Sequence, residues 1–211
     1  KSKQGKFNGK ELVYVLKALD SENSEHKGID WLLDFEESFA RTVGSKYAVA
    51  VNSGTSGLHA ALFAAGISVG DEVIQPALTV IMDAYATIHL GGIPVFVDSD
   101  KSSWNIDPDL IESKITNKTK AILTVSWFGL PVNMEPIMKI AKKYNLLVID
   151  DSAETFYGYY NGQFSGSNAD IGVYSFENKK HLTSGSEGGM IVPNNEKYAT
   201  LARKFAGIGY K

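Results

Sequence analysis

Tyr47-Ala48-Val49-Ala50-Val51 is an apolar run of strand length, and Asn52-Ser53-Gly54-Thr55-Ser56-Gly57 follows it as a tight turn. Leu58 to Ala65 then reads as a helix rich in Ala and Leu, ended by Gly66. This strand–turn–helix unit recurs along the chain. Upstream, Leu33, Phe35, Phe39, Ala40 and Val43 give residues 33–43 an amphipathic helical pattern that stops at Gly44. Downstream come a strand over 72–75, a helix over about 80–90 and a strand over 94–97. Asp107-Pro108 opens another helix, with Pro108 suited to a first turn. Strands over 121–125 and 146–150 flank a helix over 134–144. Segments 170–176 and 189–192 read as strands with no full helix between them, and 195–206 as a final helix. Such alternation predicts an α/β fold, a mostly parallel sheet with helices on both faces. Leu146-Leu147-Val148-Ile149 is apolar throughout, as a strand buried on both sides requires.

Composition narrows the function classes. The chain has 211 residues, 44% hydrophobic and 21% charged, which is globular and not disordered. Its 21 basic and 24 acidic residues leave a formal charge of −3, so no nucleic-acid partner is expected. Without cysteine there is no disulfide scaffold, thiolate metal site or cysteine nucleophile. No apolar run reaches membrane-spanning length, and Lys1-Ser2-Lys3-Gln4-Gly5 lacks the apolar stretch of a signal peptide. A cytoplasmic protein with no membrane partner is the expectation. There is no initiating Met, and Gly209-Tyr210-Lys211 carries no stop signal, so a truncated chain is also expected.

In open α/β sheets, ligands bind beyond the carboxyl ends of the strands. After Val51, small residues lead directly into a helix, leaving backbone N–H groups and hydroxyls at its N-terminus. That is either a phosphate cradle or an ordinary capped turn. It matches neither a Walker loop nor a dinucleotide fingerprint. After Ile149 come Asp150, Asp151 and Glu154; a strand-end carboxylate binds a cation, holds a cationic cofactor nitrogen or caps a loop. After Tyr174 comes Ser175-Phe176-Glu177-Asn178-Lys179-Lys180-His181, then the glycine-rich segment 182–189. A lysine pair is usually solvated, yet a lysine held among small residues is also a candidate nucleophile. Cradle, strand-end Asp and late lysine together are what pyridoxal phosphate needs: a phosphate site, a partner for the ring nitrogen and an amine for the aldehyde.

On these motifs the sequence resembles the DegT/DnrJ/EryC1/StrS family of pyridoxal-phosphate-dependent sugar aminotransferases. The likeness runs from Gly9-Lys10-Glu11 through Phe35-Glu36-Glu37, Val51 to Ser56 and Ile149 to Glu154, to Ser175-Phe176 and Glu187 to Met190. It implies the aspartate-aminotransferase-like (type I) large domain over 31–211, after an N-terminal segment over 1–30, with a C-terminal small domain missing. It implies that Gly54, Thr55, Ser56 and Ser175 bind the phosphate. Asp151 would pair with the ring nitrogen, and Glu154 would lie near the phenolic oxygen, where the family mostly has Gln. Lys180, five positions after Ser175, would carry the aldehyde and be catalytic with Asp151, in preference to Lys179. Two local departures stand out: Val80 occupies a position often aromatic, and Ser186 is an apparent insertion. Trp127 reads as core, although it is also a candidate pocket residue.

The activity so implied is transfer of an amino group from glutamate to a keto sugar, nucleotide-linked or a keto-sugar acid, in surface-polysaccharide or secondary-metabolite biosynthesis. A homodimer is expected, because the family builds its active sites at a dimer interface. Two alternatives are a cofactor-binding fragment without turnover and a related sugar dehydratase; the dehydratases carry His where this chain has Lys180. His26, His59 and His89 are scattered in sequence and none reads as a metal ligand.

Overall fold

The computed structural model describes residues 7, 9–23 and 30–209. Helices α1 (Lys10–Asn23) and α2 (Trp31–Val43) precede β1 (Val49–Val51) and α3 (Gly54–Ala64). Then follow β2 (Glu72–Pro76), α4 (Ile81–His89), β3 (Ile93–Val97), α5 (Pro108–Ile111), β4 (Thr119–Val125), α6 (Met134–Tyr144) and β5 (Leu147–Asp151). A hairpin of β6 (Tyr159–Tyr160) and β7 (Gln163–Phe164) leads to β8 (Ile171–Ser175), β9 (Gly189–Pro193) and α7 (Glu196–Ala206).

Local chemistry sets several of these boundaries. Asp30 caps α2 by accepting from the Leu33 N–H, and Gly44 ends it at φ 73°, a left-handed conformation that glycine adopts without steric cost. Asn195 caps α7 through the Tyr198 N–H. Asp107 caps α5, with Pro108 at its first position as the sequence predicts. Helix α1 and the hairpin are additions to the pattern read from the sequence. The Trp31 indole N–H ties α1 to α2 through the Ser21 hydroxyl at 3.0 Å.

The seven strands of the main sheet run in the order β1-β9-β8-β5-β4-β2-β3. Only β9 is antiparallel to its neighbours β1 and β8; the other pairings are parallel. Alternate side chains feed two layers. On one face Val73, Leu123, Ile149, Val173 and Ile191 pack with α3, α4 and α7. On the other, Ile122 and Val148 pack with α5 and α6, while Tyr174, Met190 and Val192 pack with α2 and the hairpin. Each fully buried Leu or Ile contributes about 1.5–3 kcal/mol of apolar transfer.

Edge strand β1 is held by an ion pair. Glu36 of α2 is 4% exposed and meets Arg203 of α7, Oε2 to Nη2, at 2.6 Å. The Glu36 Oε1 atom accepts from the Ala50 N–H at 2.8 Å, and Arg203 donates to the Ala48 carbonyl at 3.2 Å. Both helices are thus clamped to the strand. Arg203→Met leaves a buried carboxylate without its cation and should cost about 2–3 kcal/mol. A lower urea midpoint would register the loss, and adding Glu36→Gln should recover part of it.

His59 and His89, scattered in sequence, are neighbours in space, with ring centroids 5.6 Å apart; His59 also meets Phe205 edge-on at 4.9 Å. Among the described residues, no group of three or more His, Asp or Glu side chains is placed to hold a metal. His26 lies outside the described residues. Burial, and then the charge of His89, lower the His59 pKa below 6.5. The unfolded chain therefore takes up the proton first, so His59 should cost stability as pH falls below 6.5. Thermal melts between pH 7 and pH 5 should fall less steeply for His59→Gln than for the parent chain.

Candidate active site

Helix α3 begins at Gly54, within the stretch expected to be a turn. The correction has a local cause and a tertiary one. Ser53, extended at φ −165° and ψ 161°, caps the helix by accepting from the Ser56 N–H, and the two serine hydroxyls lie 3.0 Å apart. The glycines that weaken helix propensity are needed for close packing. A Cβ on Gly54 would stand 2.9 Å from Ser175 Cβ, and one on Gly57 would stand 2.8 Å from Val173 Cγ1. The start of α3 therefore rests on the carboxyl end of β8. Gly54, Thr55 and Ser56 form its first turn beside Ser175, and the leading N–H groups have no carbonyl inside the helix to bond.

The end of β5 separates two adjacent carboxylates. Asp150 faces the α5–α6 side, where it accepts from Thr124 Oγ1 at 2.7 Å and Ser152 Oγ at 2.8 Å. Ser152, Ser126 and Thr155 all converge on the Ser165 hydroxyl, which makes this a buried structural network. Asp151 faces the α3–α4 side and is 3% exposed. Its Oδ1 accepts from the Ala153 N–H at 2.9 Å. Burial pushes the Asp151 carboxyl up to about 6, against the lowering pull of that N–H and of the Lys180 charge.

The loop after β8 distinguishes the two lysines. Glu177 accepts from the Lys179 N–H through Oε2 and from the Lys180 N–H through its carbonyl, both at 2.9 Å. This turn leaves Lys179 exposed and brings Lys180 inward. Lys180 Nζ reaches Glu154 Oε1 at 3.1 Å, with side-chain exposures of 25% and 32%. The other Glu154 oxygen accepts from the Phe128 N–H at 3.1 Å. Glu154 and Lys180 thus form one pair, coupled electrostatically to Asp151. Gly54, Thr55, Ser56 and Ser175 form a second group at the same ends of the parallel strands.

Val80 is the N-cap of α4 and makes no side-chain cap bond; it is 38% exposed. Ser186 lies in an exposed loop. Trp127 packs against the core, as expected, but its indole N–H is buried without a partner. The sequence reading passes over Asp83, a fully buried carboxyl in the first turn of α4. A signal for it exists: Asp83 lies three and four positions before Ala86 and Thr87, on the inward stripe of a mostly apolar helix. The cavity between α2 and α7, about 570 Å³, is lined by Glu36 and Arg203 among others and by none of the predicted site residues.

Comparisons with known proteins bear on the family and the fold. The model of the DegT/DnrJ/EryC1/StrS aminotransferase family matches residues 7–211. GDP-perosamine synthase of Escherichia coli O157:H7 is 45% identical over 206 residues, which cover 98% of this chain and 56% of that protein. The aminotransferase from Psychrobacter cryohalolentis superposes with a TM-score of 0.88 at 38% identity, over 93% of this chain and 50% of that one. NtdA from Bacillus subtilis, solved with bound cofactor PMP, gives a TM-score of 0.83 at 31% identity, over 94% of this chain and 45% of that one. The chain therefore spans about half the length of the relatives it matches. With a family match over nearly its full length and a shared α/β fold, the chain belongs to the DegT/DnrJ/EryC1/StrS aminotransferase family.

Proposed function

We propose that this chain is the cofactor-binding part of a pyridoxal-phosphate-dependent aminotransferase that moves an amino group from glutamate to a keto sugar. The observation that carries the reading is the placement of Lys180. Its amine lies 3.1 Å from Glu154 and its charge acts on Asp151, at the strand ends where α3 presents its N-terminus. The PMP bound in NtdA supports the cofactor, and the name GDP-perosamine synthase supports a nucleotide-linked sugar as the acceptor. In this reading residues 31–211 are the cofactor-binding domain and 1–30 an N-terminal segment.

The residues present fit the cofactor. The N–H groups of Gly54 and Thr55, with the hydroxyls of Thr55, Ser56 and Ser175, suit a phosphate at the positive end of α3. A Cβ at position 54 would crowd that place. Asp151, its carboxyl pushed up by burial to about 6, suits a protonated ring nitrogen as an anion at neutral pH. When bound, pyridoxal phosphate supplies an aldehyde carbon that takes up the amino group and a ring that withdraws electrons. Lys180 Nζ would be the amine that holds the aldehyde and, as a free amine, would carry a proton at Nζ as acid and base. Glu154 Oε1 holds that amine in position between steps, while Phe128 N–H fixes the other Glu154 oxygen.

A homodimer in the cytoplasm completes the proposal. Ile81, Tyr85 and Ile88 leave an exposed apolar stripe on α4, suited to a second copy of the chain. No helix among the described residues is long and apolar enough to cross a membrane.

Adding pyridoxal phosphate to the chain should produce a new absorption band, and borohydride followed by peptide mapping should place the label on Lys180. Lys180→Ala should abolish the band; a parent chain with no band, or a label on Lys179, would overturn the assignment. Gly54→Ala should weaken cofactor binding about tenfold, or roughly 1.4 kcal/mol, measured by equilibrium titration. Unchanged affinity would exclude Gly54 from the cradle.

A further inference from the structure

Asp83 is a carboxyl with no exposure to water, on the inward face of α4. One oxygen, Oδ2, accepts from the Thr79 hydroxyl. The other, Oδ1, is buried without a partner. After burial, the group that acts most strongly on Asp83 is Asp151, with Asp150 of the same strand a weaker influence. All three are acids, and both Asp151 and Asp150 disfavour a second negative charge at Asp83.

The Asp83 and Asp151 carboxyls lie within side-chain hydrogen-bonding reach of each other, and two carboxyls so placed in a dry site share a proton. Compensation decides which one keeps it. Asp151 has the Ala153 N–H and the Lys180 charge to stabilise its anion. Asp83 has only the neutral Thr79 hydroxyl. Burial and the Asp151 charge accordingly raise the Asp83 pKa well above the ordinary carboxylate range. The proton belongs on Asp83, and the unpaired Oδ1 is the atom free to carry it.

We propose that Asp83 is a positioning residue for Asp151: it stays a neutral acid and donates from Oδ1 to the Asp151 carboxylate, orienting it toward the cofactor's ring nitrogen. The second half of this statement rests on the cofactor reading above; the proton on Asp83 does not. Each carboxylate oxygen has two acceptor sites, so Asp151 can accept from Ala153, from Asp83 and from a ring N–H together. The Asp83 donor also draws charge from Asp151, so the ring nitrogen keeps its proton less tightly than against an undivided carboxylate.

Two variants separate the parts. Asp83→Asn keeps a donor of the same shape but cannot titrate; Asp83→Leu fills the space and removes the donor. Infrared difference spectra of the cofactor-free chain at neutral pH should show a protonated-carboxyl band in the parent that is missing from both variants. With ring-¹⁵N pyridoxal phosphate bound, the ring-nitrogen titration of Asp83→Asn should follow the parent. That of Asp83→Leu should show about tenfold tighter proton binding, a shift of about one pH unit. No difference band between the parent and Asp83→Asn would overturn the proton assignment. Ring-nitrogen titrations identical in the parent and Asp83→Leu would overturn the positioning role. A parent chain that takes up no cofactor would overturn the cofactor reading instead, and the infrared result would still decide where the proton lies.

Discussion

A β-strand turns successive side chains to opposite faces, and at the end of β5 that constraint separates two neighbouring carboxylates. Asp150 enters a closed set of hydroxyls under α5 and α6. Asp151 reaches the opposite face, under α3 and α4, where Lys180 acts on it. A one-residue slip would turn each to the other face, taking Asp150 away from its hydroxyl partners and Asp151 away from Lys180. Register at this point therefore determines the chemistry of both faces. The parallel pairing of β5 with β4 and β8 holds it, Val125 beside Asp151 and Asp151 beside Val173.

The candidate site combines that strand end with a helix start and a loop. Glycine lets the helix approach: only residues without a Cβ bring the backbone of 53–57 onto β8 and β9. The loop contributes through its own turn, in which Glu177 collects the N–H groups of Lys179 and Lys180 and so decides which lysine faces inward. Asp151 thus sits at a strand end and Gly54 to Ser56 at a helix start, while Lys180 sits on a loop between β8 and β9.

Much of this was legible in the sequence where pattern and propensity act in the same direction. Helix α6 spans Met134–Tyr144, the range its amphipathic repeat indicates, and the strands deviate by one or two residues at most ends. Each misreading has its own physical cause. The start of α3 contradicts glycine's helix propensity because packing on Ser175 and Val173 outweighs it. The hairpin strands Tyr159–Tyr160 and Gln163–Phe164 are too short for any alternation to show, although Asn161-Gly162 is a turn signal between them. The meeting of His59 with His89, and of Asp83 with Asp151, joins separate elements and has no local trace. For the candidate residues, position in the chain indicated the strand end; only the fold shows that Lys180 meets Glu154 and that Asp150 does not share the face of Asp151.

The pairing of β1 has a bearing on the order in which the molecule is assembled. Its backbone partner in the sheet is β9, with Val49 beside Ile191 and Val51 beside Gly189. Residues made early in synthesis thus wait for residues made much later before they have a ladder to join, and closing so long a loop is slow. Ser53 to Ser56 follow β1 directly and lean on Ser175 and Gly189. On the ribosome, the central strands β2 to β5 can pair while this corner still has no floor. A nascent chain that has not yet released Gly189 carries the start of α3 without the surface it rests on.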